Sequence, residues 1–393
     1  MSALENFAKS AATPRGAGGS RTAARLTARS WLRSSTTRKR VRECGLASGG
    51  LVHVEGGHDH GGVSGLKTCG SVWSCPVCSA KIAYGRQVEM ETGISRWADG
   101  THGLQAGSFV LLTLTLRHHR GMSLAEVWGG LSGAWRSFVS SRRYKETLQG
   151  IGSAGYHRTT EVTYGAFGWH VHLHVLYFLE GRPADLTAAA AGGVLTAHWV
   201  DSVGKHGFSA VPDAQDWKVL RGSSKALMAI AGYVHKGEYV EGASYAREAG
   251  GVAMEITRSD LKAGRGSRTP FEILAGLVEG TSTDPVGDSA LWAEWEAASS
   301  GRRQQVWSRG MRARLGLDAE LSDEDLAELD DEAADRERLV TITASEWRKI
   351  ANRPGGHSTL LSIIDSAPTL REATDDLCVW LDSIGVDYIR VYR

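Results

Sequence analysis

The sequence predicts an α+β protein in which helices flank an antiparallel sheet, with a small cysteine-bearing module before it and a mostly helical part after it. Three patterns predict this. Two strand-like stretches, residues 157–163 and 169–179, meet around Gly165 and Gly168 as the arms of a hairpin do. Leu124, Val127, Trp128, Leu131, Trp135 and Phe138 recur at helical spacing and form a stripe wide enough to pack on a sheet. Cys69, Cys75 and Cys78 crowd into a segment with little else to fill a core.

In chain order, residues 1–41 are rich in Ala, Arg, Ser, Thr and Gly without a sustained apolar period. They read as mostly flexible, with a basic helix possible over 23–31. Arg15, Arg21, Arg25, Arg29, Arg33, Arg38, Lys39, Arg40 and Arg42 stand there against Glu5 and Glu43, whereas residues 318–337 are acidic almost throughout. The formal net charge of +1 hides this asymmetry. The basic head is either a solvated tail or an arm that seeks phosphate. The Gly-, Cys- and His-rich stretch 44–81 suits a metal-stapled module, and a helix is expected from Ile82.

Residues 108–116 are apolar on both faces and predict a central strand. Ser123 with Glu126 three residues on is a capping box that opens the striped helix. A helix over 186–203, a weaker strand region over 208–219 and a helix over 224–240 follow. Thr269, Pro270 and Glu272 start another capped helix, and 291–315 reads as helical with Trp292, Trp295 and Trp307 as anchors. The acidic stretch is a linker or surface helix. Residues 339–393 carry a small α/β pattern of their own. The expected division is therefore 1–41, 42–104, 105–280, 281–338 and 339–393, and no internal repeat is present. Neither a signal-peptide core nor an apolar run of membrane length occurs, so the protein is expected in the cytoplasm with no membrane partner. Five cysteines in that compartment predict thiols or metal rather than disulfides.

The most informative segment is Gly168-Trp169-His170-Val171-His172-Leu173-His174-Val175-Leu176. Successive strand side chains point to opposite faces, so His170, His172 and His174 share one face while Trp169, Val171, Leu173, Val175 and Tyr177 line the other. Same-face neighbours lie roughly 6.5–7 Å apart along a strand, close enough to converge on one cation. With the turn centred on Ala166 and Phe167, Gly165 opposes Gly168, Tyr164 opposes Trp169 and Glu161 opposes His172. Directly opposed residues share a face, which makes Glu161 a metal ligand or an orienting carboxylate beside the imidazoles. Such mixed ligation suits Mg²⁺ or Mn²⁺ acting on phosphate, although Zn²⁺ would bind as well. At Cys69-x5-Cys75-Pro76-Val77-Cys78 a C-P-x-C knuckle presents thiolates to Zn²⁺. Cys44 is the obvious fourth ligand, His58 and His60 are alternatives to it, and Cys378 is left as a core thiol.

Here the chain resembles the HUH endonucleases, and among them the plasmid rolling-circle replication initiators. His172-Leu173-His174 is similar to their H-hydrophobic-H signature, Leu111-Leu112-Thr113-Leu114-Thr115 to their first motif, and Ala231-Gly232-Tyr233-Val234-His235-Lys236 to their third, across roughly residues 105–245. The resemblance implies a sheet of ferredoxin- or RRM-like topology with the metal on the central strands. It implies Tyr233 as the nucleophile that nicks one strand of plasmid origin DNA (single-stranded or in an extruded hairpin), with Lys236 at i+3 helping to favour its phenolate. Host helicase and polymerase would be further partners. Arg38, Lys39, Arg40, Lys262, Arg265 and Arg268 are the candidate DNA contacts. One departure concerns the end of the cycle. Where some single-tyrosine members carry a glutamate one helical turn before the tyrosine, this chain has Ala229, so Glu238, Tyr239 or a water held elsewhere would have to act. A conjugative relaxase or transposase of the same class, a non-catalytic zinc-dependent DNA-binding protein and a hydrolase unrelated to DNA are the competing readings.

Overall fold

A computed structural model describes residues 17–57, 61–220, 266–329 and 336–392. Two antiparallel sheets organise it. The larger has the order β6-β3-β5-β4-β7, formed by Asp216–Leu220, Ser108–Thr115, Gly168–Leu179, Ser153–Gly165 and Gln305–Trp307. The smaller has the order β2-β1-β8-β9, from Gly61–Ser64, Leu51–Gly57, Arg336–Thr343 and Tyr388–Arg390. Among the described residues the helices are α1 (Ala17–Ser35), α2 (Lys39–Glu43), α3 (Pro76–Asp99), α4 (Leu124–Ser140), α5 (Arg142–Gly150), α6 (Asp185–Gly204), α7 (Pro270–Glu279), α8 (Pro285–Ser299), α9 (Met311–Arg314), α10 (Asp323–Glu328), α11 (Ala344–Asn352), α12 (Gly356–Ser366) and α13 (Leu370–Ser383).

The hairpin β4–β5 has the register that its turn dictates: Gly165 pairs with Gly168, Tyr164 with Trp169 and Glu161 with His172. Gly168 adopts a φ of 88° to close this turn, a conformation that costs glycine nothing and a β-branched residue a great deal. Two cores follow from the alternation. Val110, Leu112 and Leu114 of β3 and Trp169, Val171, Leu173, Val175 and Tyr177 of β5 share one face with the α4 stripe and with α6, α8 and the cysteine segment. On the other face Phe109, Leu111, Leu176 and Phe178 meet Met90, Ile94 and Trp97 of α3. That second core fills one end of the face; the imidazoles occupy the other. The capping box at Ser123 and Glu126 forms as its spacing implies.

Three expectations need correction. The segment read as flexible contains α1 over Ala17–Ser35, which buries Leu26, Ala28 and Leu32. Two of its arginines reach into the interior as well: buried Arg29 meets His357 Nδ1 at 2.6 Å, and Arg33 donates to the Cys44 carbonyl oxygen at 3.2 Å. Second, the part following the larger sheet's β6 is not merely helical. Residues 305–307 form an edge strand on β4, with His157 opposite Trp307. Third, β1 and β2 lie in one sheet with β8 and β9, although the sequence assigns them to separate modules: Leu51–Val54 pair with Val340–Thr343 and share a core with α11, α12 and α13. Arg29 and Gly45 join this second unit to the cysteine segment. Gly45 has a φ of 75°, and a Cβ there would run into the Arg29 guanidinium. The short acidic helix α10 packs by burying Leu326 and Ala327 rather than standing in solvent.

Candidate metal centres

The first centre is the cysteine cluster. Cys44 follows α2, Cys69 lies in a loop, and Cys75 caps the N-terminus of α3 with Pro76 after it and Cys78 within the first turn. This position favours thiolate, since backbone N–H groups and the helix dipole converge there. All four sulfurs are buried. Cys44 lies 3.7 Å from Cys78, Cys69 3.6 Å from Cys78, and Cys75 3.7 Å from Cys44. Four thiolates at Zn–S distances of about 2.3 Å around a tetrahedral ion would be separated by about 3.8 Å, so the donor set fits zinc. A disulfide would need sulfurs about 2.05 Å apart. Contacts with the other three sulfurs lower the Cys44 thiol, whereas the same kind of contact raises Cys75, with burial adding to the rise. A cation that accepts four thiolates removes that conflict. Cys378 is buried elsewhere, in the second core, and His58 and His60 lie outside the described residues.

The second centre is on β4 and β5. A single carboxylate oxygen, Glu161 Oε2, accepts from His172 Nε2 at 2.9 Å and from His174 Nε2 at 2.8 Å. Burial alone would raise the Glu161 carboxyl, but the hydrogen bonds from the two imidazoles reverse this and hold it well below the usual range. One ligand atom from each of the three residues falls within 4.8 Å of the others. One carboxylate and two imidazoles, largely buried and aimed at one point, are a donor set that a divalent cation fits.

The first-motif strand supplies the frame. Thr113 pairs with His174 across β3–β5, and its Oγ1 lies 3.2 Å from His174 Nδ1. A hydroxyl can donate to a neutral Nδ1 or accept from an Nδ1–H, so this contact serves the ring both when Nε2 carries a proton and when Nε2 binds a metal. Thr115 Oγ1 lies 2.9 Å from His170 Nε2. His170 stands outside the three-residue group, with its ring stacked 5.0 Å from His118. Burial, with His172 and His118 adding to it, pushes His170 down to about 4. Neither threonine contact was read from the sequence, although the H-x-H-x-H face and the T-x-T strand share the same alternation and would have suggested it.

The candidate basic contacts divide. Arg268 forms a bidentate pair with Asp288, both distances 2.7 Å, and its backbone bridges to Tyr164; it is a structural residue. Arg38 donates to the Glu296 carbonyl oxygen and Arg40 pairs with Glu324 at 2.9 Å, while Lys39 is exposed. Tyr233, Lys236, Lys262 and Arg265, with Ala229, Glu238 and Tyr239, lie outside the described residues.

A two-sheet α/β protein with an imidazole–carboxylate cluster on one sheet face and a four-cysteine cluster behind the other has two groups that could hold metal ions. Residues 63–182 match the model of a family described as replication protein; the match takes in Cys69, Cys75 and Cys78 and the whole of β3, β4 and β5. A protein rep from Streptomyces lividans is 28% identical, with 74% of each chain covered. A neomycin resistance protein from Streptomyces cyanogenus is 29% identical over 143 residues, 30% of this chain and 32% of that one. No solved structure matches the chain. Both likenesses support a plasmid replication protein. No helix of the described residues is long and apolar enough to cross a membrane.

Proposed function

We propose that the protein is a plasmid rolling-circle replication initiator of the HUH class, which nicks one strand of its origin through Tyr233. The observation that carries this reading is the convergence of His172, His174 and Glu161 on one point of the larger sheet. These three residues would hold Mg²⁺ or Mn²⁺. An ion held there would supply Lewis-acid polarisation of the scissile phosphate and stabilisation of charge on the departing oxygen.

The chain's own groups do the rest. Glu161 draws both Nε2 atoms to one side of the sheet, and Thr113 keeps the His174 ring from turning away. The Tyr233 phenolic oxygen attacks phosphorus, the bond from phosphorus to the 3′-oxygen breaks, and that oxygen takes up a proton to become a 3′-hydroxyl primer. The 5′-phosphate stays on the tyrosine, which conserves the bond for rejoining at termination. Lys236 favours the phenolate, whose oxygen would otherwise titrate near pH 10. Zinc at Cys44, Cys69, Cys75 and Cys78 is structural, as a closed four-thiolate set implies.

The test incubates the protein with Mg²⁺ or Mn²⁺ and end-labelled single-stranded origin oligonucleotides. A covalent adduct that maps to Tyr233 and is absent from Tyr233→Phe is expected. Full cleavage by Tyr233→Phe, or an adduct on another residue, overturns the proposed nucleophile. DNA binding without any cleavage by the wild-type protein favours the non-catalytic alternative.

A further inference from the structure

A groove of about 1140 Å³ opens beside the cysteine cluster, between the end of α1, α2, the Cys69–Trp73 loop and α8. We propose that it binds a segment of single-stranded DNA. Lys39 and Arg40 of α2 line one side and Arg302 and Arg303, after α8, the other, with the half-buried indole of Trp31 accessible between them and Trp73 and Trp292 buried beneath.

Its acidic groups do not cancel this charge. Glu296 is buried, its carboxyl accepts from Thr36 Oγ1 at 2.7 Å, and burial raises its pKa. Asp323 already faces Arg86 at 3.1 Å and Glu324 faces Arg40 at 2.9 Å, both at one end of the groove. Arg303 is exposed, and so is Lys39, whose neighbour Glu43 is already paired with Lys67 at 3.0 Å. Arg302 is held in place by an Nε hydrogen bond to the Ala298 carbonyl oxygen at 2.7 Å, with its guanidinium 4.7 Å from the Trp128 ring. Cations along a concave slot, with the Trp31 indole open to stacking, match a strand whose bases are free to stack. A duplex keeps its bases inside, and proteins read it with a helix or ribbon that protrudes into a groove.

The groove is remote from the imidazoles. Trp73 packs on Trp128 and Trp295 with ring centres 5.3 and 5.4 Å apart, and Trp295 stacks on Trp169 at 6.2 Å. Trp169 faces away from His170 on β5, so this tryptophan row ends on the apolar side of the sheet. A strand in the groove is thus a different stretch of nucleic acid from one at His172 and His174. The proposal rests on the reading that DNA is the substrate, but its readout does not require cleavage.

The experiment measures fluorescence anisotropy of labelled oligo(dT) with the full chain over a salt series. Lys39→Ala with Arg303→Ala, both exposed, should weaken binding about tenfold at moderate salt. Loss of two phosphate contacts should also reduce the slope of log affinity against log salt by about 1.4. Trp31→Ala should weaken binding about tenfold while Trp31→Phe restores it, with zinc content and melting temperature checked in each variant. An unchanged slope and affinity in the double variant overturns the groove, as does equal competition by a duplex of the same length. Failure of the cleavage reading looks different: no adduct on Tyr233, with the oligo(dT) isotherm of the wild-type protein and its loss in the variants both intact.

Discussion

The two metal-type clusters of this chain are built on opposite sides of the same sheet and by opposite means. The cysteines come from three separated segments, are all buried, and supply four donors, the number that a structural zinc takes. The Glu161, His172 and His174 group comes from a single hairpin, supplies three donors among the described residues, and lies at the end of the face that the α3 core does not fill. A closed set stabilises a fold; an incomplete one leaves positions for water and phosphate. The contrast also explains where precision is needed. Thiolates drawn together by a cation find their own geometry, whereas imidazoles on a rigid strand need Thr113 to set the ring.

The contrast can be broken by experiment. Cys75→Ser should have the largest effect. It should remove bound zinc, measured as metal per chain, and the fold of the N-terminal part with it, since structural zinc contributes on the order of 10 kcal/mol in small modules. A soluble variant with an unchanged melting temperature would show that the cysteines are not a structural centre. His174→Ala should do the reverse: zinc content stays at the wild-type level while Mn²⁺ binding by calorimetry falls below detection and adducts vanish. Loss of zinc in His174→Ala would mean that the two centres are one folding unit. Thr113→Val should weaken Mn²⁺ about 10–100-fold, the usual cost of losing an orienting partner, and Thr113→Ser should restore it. Equal losses in both variants would assign Thr113 a packing role instead.

The smallest effect comes from the closed end of the Glu161 face. His157 lies fully buried beside Trp307, and burial, helped by the charge of Arg86, pushes it down to about 3. Its folded value is below its unfolded value near 6.5, so the unfolded chain takes up the proton first as the pH falls. Stability should be full above pH 6.5 and decline between pH 6.5 and 3, by about 2 kcal/mol at pH 5 from this group. His157→Gln should flatten the decline by about one proton. An identical pH slope would show that His157 titrates normally in the folded protein.

Much of the site was legible before any coordinates because it is local. A two-residue turn sets the register of β4 against β5, and the period of a strand then decides that Glu161, His172 and His174 share a face. The C-P-x-C knuckle likewise announces its own geometry. His170 shows the limit of that logic, since sharing a face did not bring it into the group: Thr115 and His118 hold its ring elsewhere.

What the chain alone determined, then, is whatever depends on neighbours in sequence: the hairpin and its register, the apolar stripe of α4, the capping boxes and the thiolate knuckle. What only the tertiary structure decided is pairing between distant segments: β1 with β8 across most of the chain, Arg29 with His357, and the edge strand carrying Trp307. The physical reason is that a short-range pattern carries its own periodicity, while a long-range contact is chosen by which surfaces are left to bury once local structure has formed. A basic, alanine-rich segment such as α1 has no outward sign of being interior until the two cores that it joins exist to receive it.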